Sequence, residues 1–196
     1  MSRYLDRAND WMRWVEERSE KADDPRHRAI TRDFLSHLAL EMSGDWQTVW
    51  GQMMVEEPLY HVYMPGLGVP KLTTYAGREA VKEFYCQITK TMGVAHEYGP
   101  IETSYVPTDW GLISFFSGTL LLDGATLTDL GYDIDDREAR YVVEVPVLNR
   151  WYYDEEAKLI GEDAHQLADA VVTKLDPADD FTADERLAVL SQYFPK

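Results

Sequence analysis

The sequence predicts an α+β protein in which helices come first and a curved antiparallel sheet then wraps around one of them. Two observations carry this. Up to about residue 43, and again from 77 to 88, apolar residues recur every three or four positions, whereas from 97 to 167 they alternate or run together in four stretches. Those four stretches are bounded by turn signals at Pro107-Thr108-Asp109, Asp123-Gly124 and Asp154-Glu155, the pattern of a four-stranded antiparallel meander.

Residues from about Arg3 to Lys21 form a first helix with Trp11, Trp14 and Val15 on its apolar side. Such a helix is expected to cover a hydrophobic surface of its own domain or of a neighbouring subunit. Asp24-Pro25 is a start signal, because the aspartate can accept from a free N–H and proline has no N–H to leave unpaired. The helix it opens runs to about Ser43 with Ile30, Phe34, Leu38 and Met42 in register and His37 beside that stripe. Gly44 stops it, and Asp45 caps a shorter helix carrying Trp46, Val49, Trp50 and Met53. Leu59 to Met64 is aromatic and β-branched, which predicts a half-buried strand with His61 and Tyr63 on one face. Pro65-Gly66 ends that strand. Gly77 to Tyr85 restarts the chain as an amphipathic helix, with Ala80, Val81, Phe84 and Ile88 on one stripe.

The four sheet strands are expected at Glu97 to Val106, Trp110 to Leu122, Tyr141 to Tyr153 and Lys158 to Leu167. Asp123 to Arg140 is too long for a tight hairpin, so it is either a protruding hairpin or a mobile flap. Thr182-Ala183-Asp184-Glu185 is a capping box after a loose Asp176 to Asp180 linker, placing a last helix as a lid or on a partner subunit. The chain thus divides into an N-terminal helical extension (1–24), a core domain (25–170) and a C-terminal linker and helix (171–196).

Composition limits the function. At 196 residues and 45% hydrophobic content the chain can bury one sizeable core. A net charge of -16 argues against nucleic acid and anionic membranes, which need clustered Lys and Arg. Cys86 is the sole cysteine, so no intrachain disulfide forms, which fits a reducing, cytoplasmic setting; inside a helix pattern it reads as a packed thiol. No apolar run approaches a membrane span, and the acidic N-terminus has no signal-peptide core. Gly66-Leu67-Gly68 lacks the third glycine of a dinucleotide fingerprint, and no nucleophile elbow occurs. The five histidines form no HxxxH pair or Cys/His cluster, so neither metal nor cofactor is expected.

Three segments suggest a family. Ser43-Gly44-Asp45-Trp46, the Gly77 to Tyr85 helix and the strand end Asn149-Arg150-Trp151-Tyr152-Tyr153-Asp154, in the order helix, helix, short strand, helix, four strands, resemble the nuclear transport factor two-like superfamily (SnoaL-like, ketosteroid isomerase-like) over roughly residues 25–170. The resemblance implies a cone-shaped α+β barrel, the fold of ketosteroid isomerases, scytalone dehydratase, polyketide cyclases and limonene epoxide hydrolase. It implies no one reaction, because the fold also serves proteins without catalysis. Aligned without gaps on Gly44-Asp45, the isomerase's tyrosine donor falls on His37 and its aspartate base on His61; aligned on the aromatic strand end, its second donor falls on Asn149. A one-residue gap moves the base to Val62, and anchoring on Pro146 moves the second donor to Leu148. On the last strand the ungapped register turns Glu162 and Gln166 into the cavity and leaves Asp163 and His165 on the other face.

Residue chemistry gives these positions roles. A histidine exchanges a proton near neutrality, and an asparagine amide donates to a developing oxyanion. His61 is therefore expected as base, His37 as proton donor to the leaving oxygen and Asn149 as the anion stabiliser, with Tyr63, Trp50, Tyr60, Trp151 and Glu162 lining the substrate. The plainer reading makes His37 and His61 partly buried structural histidines and Asn149 a tie in the sheet. The expected function is a cofactor-independent lyase or isomerase acting on a bulky hydrophobic, aromatic small molecule by acid/base chemistry: dehydration, or C–C cleavage such as formaldehyde release from a lignin-derived diarylpropane. The alternatives are a non-catalytic binding or assembly domain, or a polyketide cyclase or ketosteroid isomerase-like enzyme. A homo-oligomer, dimer or trimer, is expected through the convex side of the sheet.

Overall fold

A 19-residue helix, α2 (Pro25–Ser43), lies in the hollow of a curved, unclosed eight-stranded sheet. The computed structural model describes residues 2–43, 49, 53–92, 94–98 and 105–195, with the backbone alone for 86–92 and 94–98. Ahead of α2 comes α1 (Arg3–Lys21); after it come β1 (Met54–Met64), β2 (Val69–Ala76), α3 (Arg78–Met92), β3 (Val94–Tyr98), β4 (Tyr105–Thr108) and β5 (Gly111–Asp123). The chain continues through α4 (Gly124–Asp129), β6 (Arg140–Tyr153), β7 (Leu159–Gln166), β8 (Val171–Lys174) and α5 (Ala183–Leu190).

The sheet runs β2-β1-β7-β6-β5-β3, with β4 also on β5 and β8 on β6. All pairings are antiparallel except β1 with β7, which is parallel. The expected first meander strand is two strands, β4 on the first half of β5 and β3 on its second half. Two strands, β2 and β8, were not foreseen. Both lie on an outer edge and expose apolar residues, Leu72 and Val171, so they lack the apolar-in alternation that marks a half-buried strand.

The register of β1 decides what faces the hollow. Pairing with β7 jumps from Met54 opposite Leu159 to Leu59 opposite Gly161. Arg78 holds the displaced segment by donating to the carbonyls of Met54 (2.7 Å) and Val55 (2.9 Å). Gly161 permits the approach, since a Cβ there would lie 2.0 Å from the Leu59 carbonyl oxygen. As a result Tyr60 stands opposite Glu162 and His61 opposite Asp163.

The core forms around α2. Phe34 is fully buried between Tyr105 (5.6 Å between ring centroids) and an edge-on Trp151 (5.2 Å), and burial of such a side chain contributes about 1.5–3 kcal/mol. Trp11, Met12 and Val15 of α1 belong to the same core, as do Leu190 at the end of the α5 helix and Tyr193 beyond it. The capping box forms as read: Thr182 and Glu185 exchange side-chain and backbone hydrogen bonds. Arg26 fastens the start of α2 to the β6–β7 turn through the Tyr153 and Asp154 carbonyls.

The 123–140 excursion is neither a hairpin nor a detached flap. Asp123 accepts from the Thr126 N–H at 2.8 Å and caps α4, whose Leu127 packs on Leu120, Leu122 and Tyr141. Beyond it, Tyr132 donates to the Gly66 carbonyl at 2.9 Å, pinning the excursion to the end of β1. Among the described residues no helix is long and apolar enough to cross a membrane.

Candidate functional site

Strand alternation puts one row of side chains, Tyr60–Glu162–Trp151–Leu112, on the concave face, and the next row there is Val62–Ala164–Asn149–Ser114. From α2 comes His37, in line with Asp33 and Glu41 four residues to either side and so on one helical face. From α3 comes Tyr85. Its hydroxyl lies 3.2 Å from His37 Nε2 and 3.0 Å from the Tyr60 hydroxyl, bridging helix and sheet. Trp151 fixes the imidazole from the other side, edge-on at 5.4 Å, and donates its indole N–H to Ser114 Oγ at 3.0 Å.

Burial sets the charge state of this cluster. It lowers His37 to about 3, so the imidazole is neutral at physiological pH. It raises Glu41 to about 8, and it raises Glu162 well above the usual carboxylate range, with Glu41 and Asp163 adding repulsion. Asp33 also rises to about 8 by burial, partly opposed by the Tyr153 hydroxyl. No lysine or arginine is buried among the described residues, so no cation offsets these shifts. The His37–Glu41 approach of 3.7 Å is therefore a contact between two largely neutral groups rather than an ion pair. His37 Nδ1 and Asn149 Oδ1 are buried without a hydrogen-bond partner, the kind of vacancy that calls for an explanation.

The convex face holds a different constellation, and here two expectations are corrected. His61 and Tyr63 were expected to face the cone, but the buried side chains alternating with them on β1 are Tyr60 and Val62, which turns His61 and Tyr63 outward. The physical reason is the period of two: the displaced segment at 55–58 sets which parity of β1 meets α2. His61 Nδ1 instead pairs with Asp163 at 2.8 Å. The same carboxylate accepts from Arg150 (2.5 Å) and from the Tyr152 hydroxyl (2.7 Å). Burial pushes Asp163 up, but these donors outweigh it and hold the group below its usual value.

Of the sequence-stated positions, His37, Asn149, Tyr60, Trp151 and Glu162 face the hollow, whereas Trp50 lies outside the described residues. Sequence reasoning missed Tyr85, Glu41 and Asp33. The last two were visible in principle, as polar residues at i−4 and i+4 from His37 on an otherwise apolar helix.

One metal-ligand grouping occurs among the described residues: Asp24, His27 and Asp109 bring one donor atom each within 4.8 Å of one another. Asp24 already caps the helix by accepting from the Arg26 N–H at 2.7 Å. The positive end of α2 and the Arg26 guanidinium both oppose a cation there.

With this geometry in hand, the fold can be matched to solved structures. An NTF2-like protein from Anabaena variabilis superposes with a TM-score of 0.54 at 13% identity, covering 76% of this chain and 95% of that one. TerC co-crystallised with polyporic acid gives 0.51 at 12% identity over 70% and 91% of the two chains. A candidate SnoaL-like polyketide cyclase from Shewanella denitrificans gives 0.51 at 13% identity over 72% and 90%. The chain therefore has the NTF2-like fold, the cone-shaped α+β architecture expected from its sequence. No family model and no curated protein matches the sequence.

Proposed function

We propose that the protein is a cofactor-independent lyase or isomerase that moves protons on a bulky, uncharged, aryl or otherwise hydrophobic small molecule held in the cone. The observation that carries this reading is the burial, without a cation, of a carboxyl on β7 (Glu162) and an imidazole on α2 (His37), with Tyr60 and Tyr85 between them. Glu162, protonated at rest, gives its proton to the leaving oxygen, which in a dehydration departs as water. His37 Nδ1 takes the proton from the neighbouring carbon. Loss of that proton from His37 Nδ1 to solvent after product release, and reprotonation of the Glu162 carboxylate, restore the resting state, while Nε2–H stays donated to the Tyr85 hydroxyl and keeps Nδ1 the basic nitrogen. Asn149 Oδ1, buried without a partner, is available to accept from a substrate hydroxyl.

The substrate is uncharged because a carboxylate or phosphate would meet no buried lysine or arginine among the described residues. The crystallisation of TerC with polyporic acid supports the same fold as a container for a small molecule. The test is a panel of neutral aryl carbinols, β-hydroxy ketones and diarylpropane diols, followed by mass spectrometry for loss of water or formaldehyde. At least one compound should be consumed, and Glu162→Gln should stop it. A panel left untouched, or a fully active Glu162→Gln, would contradict the proposal.

We also propose a homo-oligomer, dimer or trimer, because Leu59, Tyr63, Val106 and Phe115 are exposed together on the convex face. Sedimentation should show association that Phe115→Asp abolishes; a monomer at micromolar concentration would rule it out. The single cysteine supports a reducing, cytoplasmic setting.

A further inference from the structure

Glu41 is the member of the buried cluster that the proposed reaction leaves idle. It follows His37 by four residues on α2, so the two side chains are neighbours on one helical face. Its Oε2 stands 3.7 Å from His37 Nε2. The imidazole is fully enclosed, whereas the Glu41 side chain keeps 20% exposure, so this carboxyl reaches both the base and solvent. Asp33, one turn toward the N-terminus, meets the Tyr153 hydroxyl instead.

This placement answers a difficulty in the acid/base reading of the cone, on which the inference rests. Burial takes His37 far below its ordinary basicity, because an imidazolium formed there would lose its water and gain no counter-ion. Tyr85 offers no charge, and Glu162 must keep its proton to give it to the leaving oxygen. A carboxylate at the Glu41 distance raises the basicity of an imidazole by about a thousandfold at the effective dielectric of a protein interior. Burial removes a comparable amount, so the carboxylate restores a working base. Two acids in one enclosure do not both ionise readily, since each charge opposes the other. The single charge belongs on Glu41, which reaches solvent and stands beside the imidazole.

We propose that Glu41 is the positioning residue of the base: its carboxylate, facing Nε2, is the counter-ion of the His37 imidazolium formed during turnover. The Glu41 proton leaves to solvent before the carbon proton reaches Nδ1, and the Nδ1 proton follows it to solvent after product release. Near neutral pH burial keeps most of Glu41 protonated, and the ionised form grows as pH rises toward about 8. The other titratable groups facing the pair among the described residues are Tyr85 from α3, Tyr60 from β1, Glu162 from β7 and Asp33 from α2 itself, none of them a cation.

Two measurements test this, and the first needs no substrate. Ring-nitrogen magnetic resonance of histidine-labelled protein, with His37 assigned by difference from His37→Asn, should show its signals moving with an inflection near pH 8. Glu41→Gln should remove that inflection. The second follows turnover of a consumed panel compound, where kcat should climb about tenfold per pH unit below about pH 8 and then level. At that plateau Glu41→Gln should lower kcat about a hundredfold, leave KM within about twofold and abolish the climb. A His37 signal indifferent to Glu41, or a folded Glu41→Gln with the parent's kcat and pH profile, would overturn the inference. The resonance result decides it even where no panel compound is consumed, and an untouched panel overturns the proposed reaction alone.

Discussion

Glu162 and Asp163 are consecutive on β7, are both 6% exposed, and turn to opposite faces of one sheet. Glu162 looks into the cone, where it makes no hydrogen bond to a described residue and burial pushes its pKa up. Asp163 looks outward into three donors, Arg150, Tyr152 and His61, and its pKa falls. Solvent touches both equally little, but Glu162 is fully enclosed in the cone whereas Asp163 lies close under the convex surface, so burial and donors act together on their charge. Both follow from strand parity: Tyr60 and Trp151 flank the first acid, His61 and Arg150 the second. One residue is therefore a neutral acid with a proton to give, and the other is a fixed anion that organises the convex surface.

The largest effect should come from removing the poised proton. Glu162→Gln preserves shape and hydrogen-bonding capacity but cannot supply a proton, so turnover of a panel substrate should fall by roughly two to four orders of magnitude. Stability should change by less than about 1 kcal/mol, because the acid is already neutral in the folded protein. Denaturant titration alongside the kinetic assay separates the two. A large loss of stability would mean that Glu162 is a structural anion after all.

Asp163→Ala should do the reverse. It strands three donors, and although Arg150 and His61 can return to water, the part-buried Tyr152 hydroxyl loses its partner and a cavity remains; the expected cost is about 2 kcal/mol, read as a lower denaturation midpoint. Turnover per folded molecule should be unchanged. If Asp163→Ala and Glu162→Gln lose activity to the same extent, the two faces are not chemically distinct.

Much of this fold was legible in the sequence, and the reasons are local. The Asp24-Pro25 start, the Thr182–Glu185 capping box, the 111–166 meander and the two amphipathic helices each rest on propensity or periodicity within a dozen residues. The contents of the cone were half legible. His37 and Asn149 stood out, and Glu162 was placed on the right face of β7 by the family register. His61 was misplaced because its side of the sheet depends on the five-to-two mismatch between Met54–Leu59 and Leu159–Gly161, a pairing between segments a hundred residues apart. No window of sequence contains that pairing. Of Asp163's partners only His61 was hidden for the same reason; Arg150 and Tyr152 lie 13 and 11 residues away across the β6–β7 hairpin.

The two faces should also separate along the pH axis. Glu162, Glu41 and Asp33 have folded pKa values above their unfolded ones, so the native state binds more protons than the unfolded state between them. Their contribution to stability is full below about pH 4 and is lost as pH rises toward about 8, where Glu41 and Asp33 titrate. Asp163 is the opposite case: its folded pKa is depressed, and its contribution is present above the unfolded value and lost as pH falls through the folded one. Thermal melts across the pH range should therefore fall on both sides of a mildly acidic optimum. Glu162→Gln should flatten the alkaline side alone, and Asp163→Asn the acid side alone. A profile that rises steadily to pH 8 would contradict the assignment of neutral acids to the cone.

The smallest effect is expected at the residue that sequence reasoning ranked first. The side chain of His61 is 38% exposed and contributes one of three donors to Asp163, so His61→Gln, which keeps a donor near the carboxylate, should cost under about 1 kcal/mol. Turnover should stay within about twofold of the parent, far from the loss expected for a positioned acid or base. Because Arg150 and Tyr152 continue to hold Asp163 ionised, the acid limb of the melting profile should move only slightly. A selective collapse of turnover in folded His61→Gln would reverse the comparison. It would bring the chemistry out of the cone and onto the convex face, where the imidazole, its carboxylate and the Arg150 guanidinium already stand together.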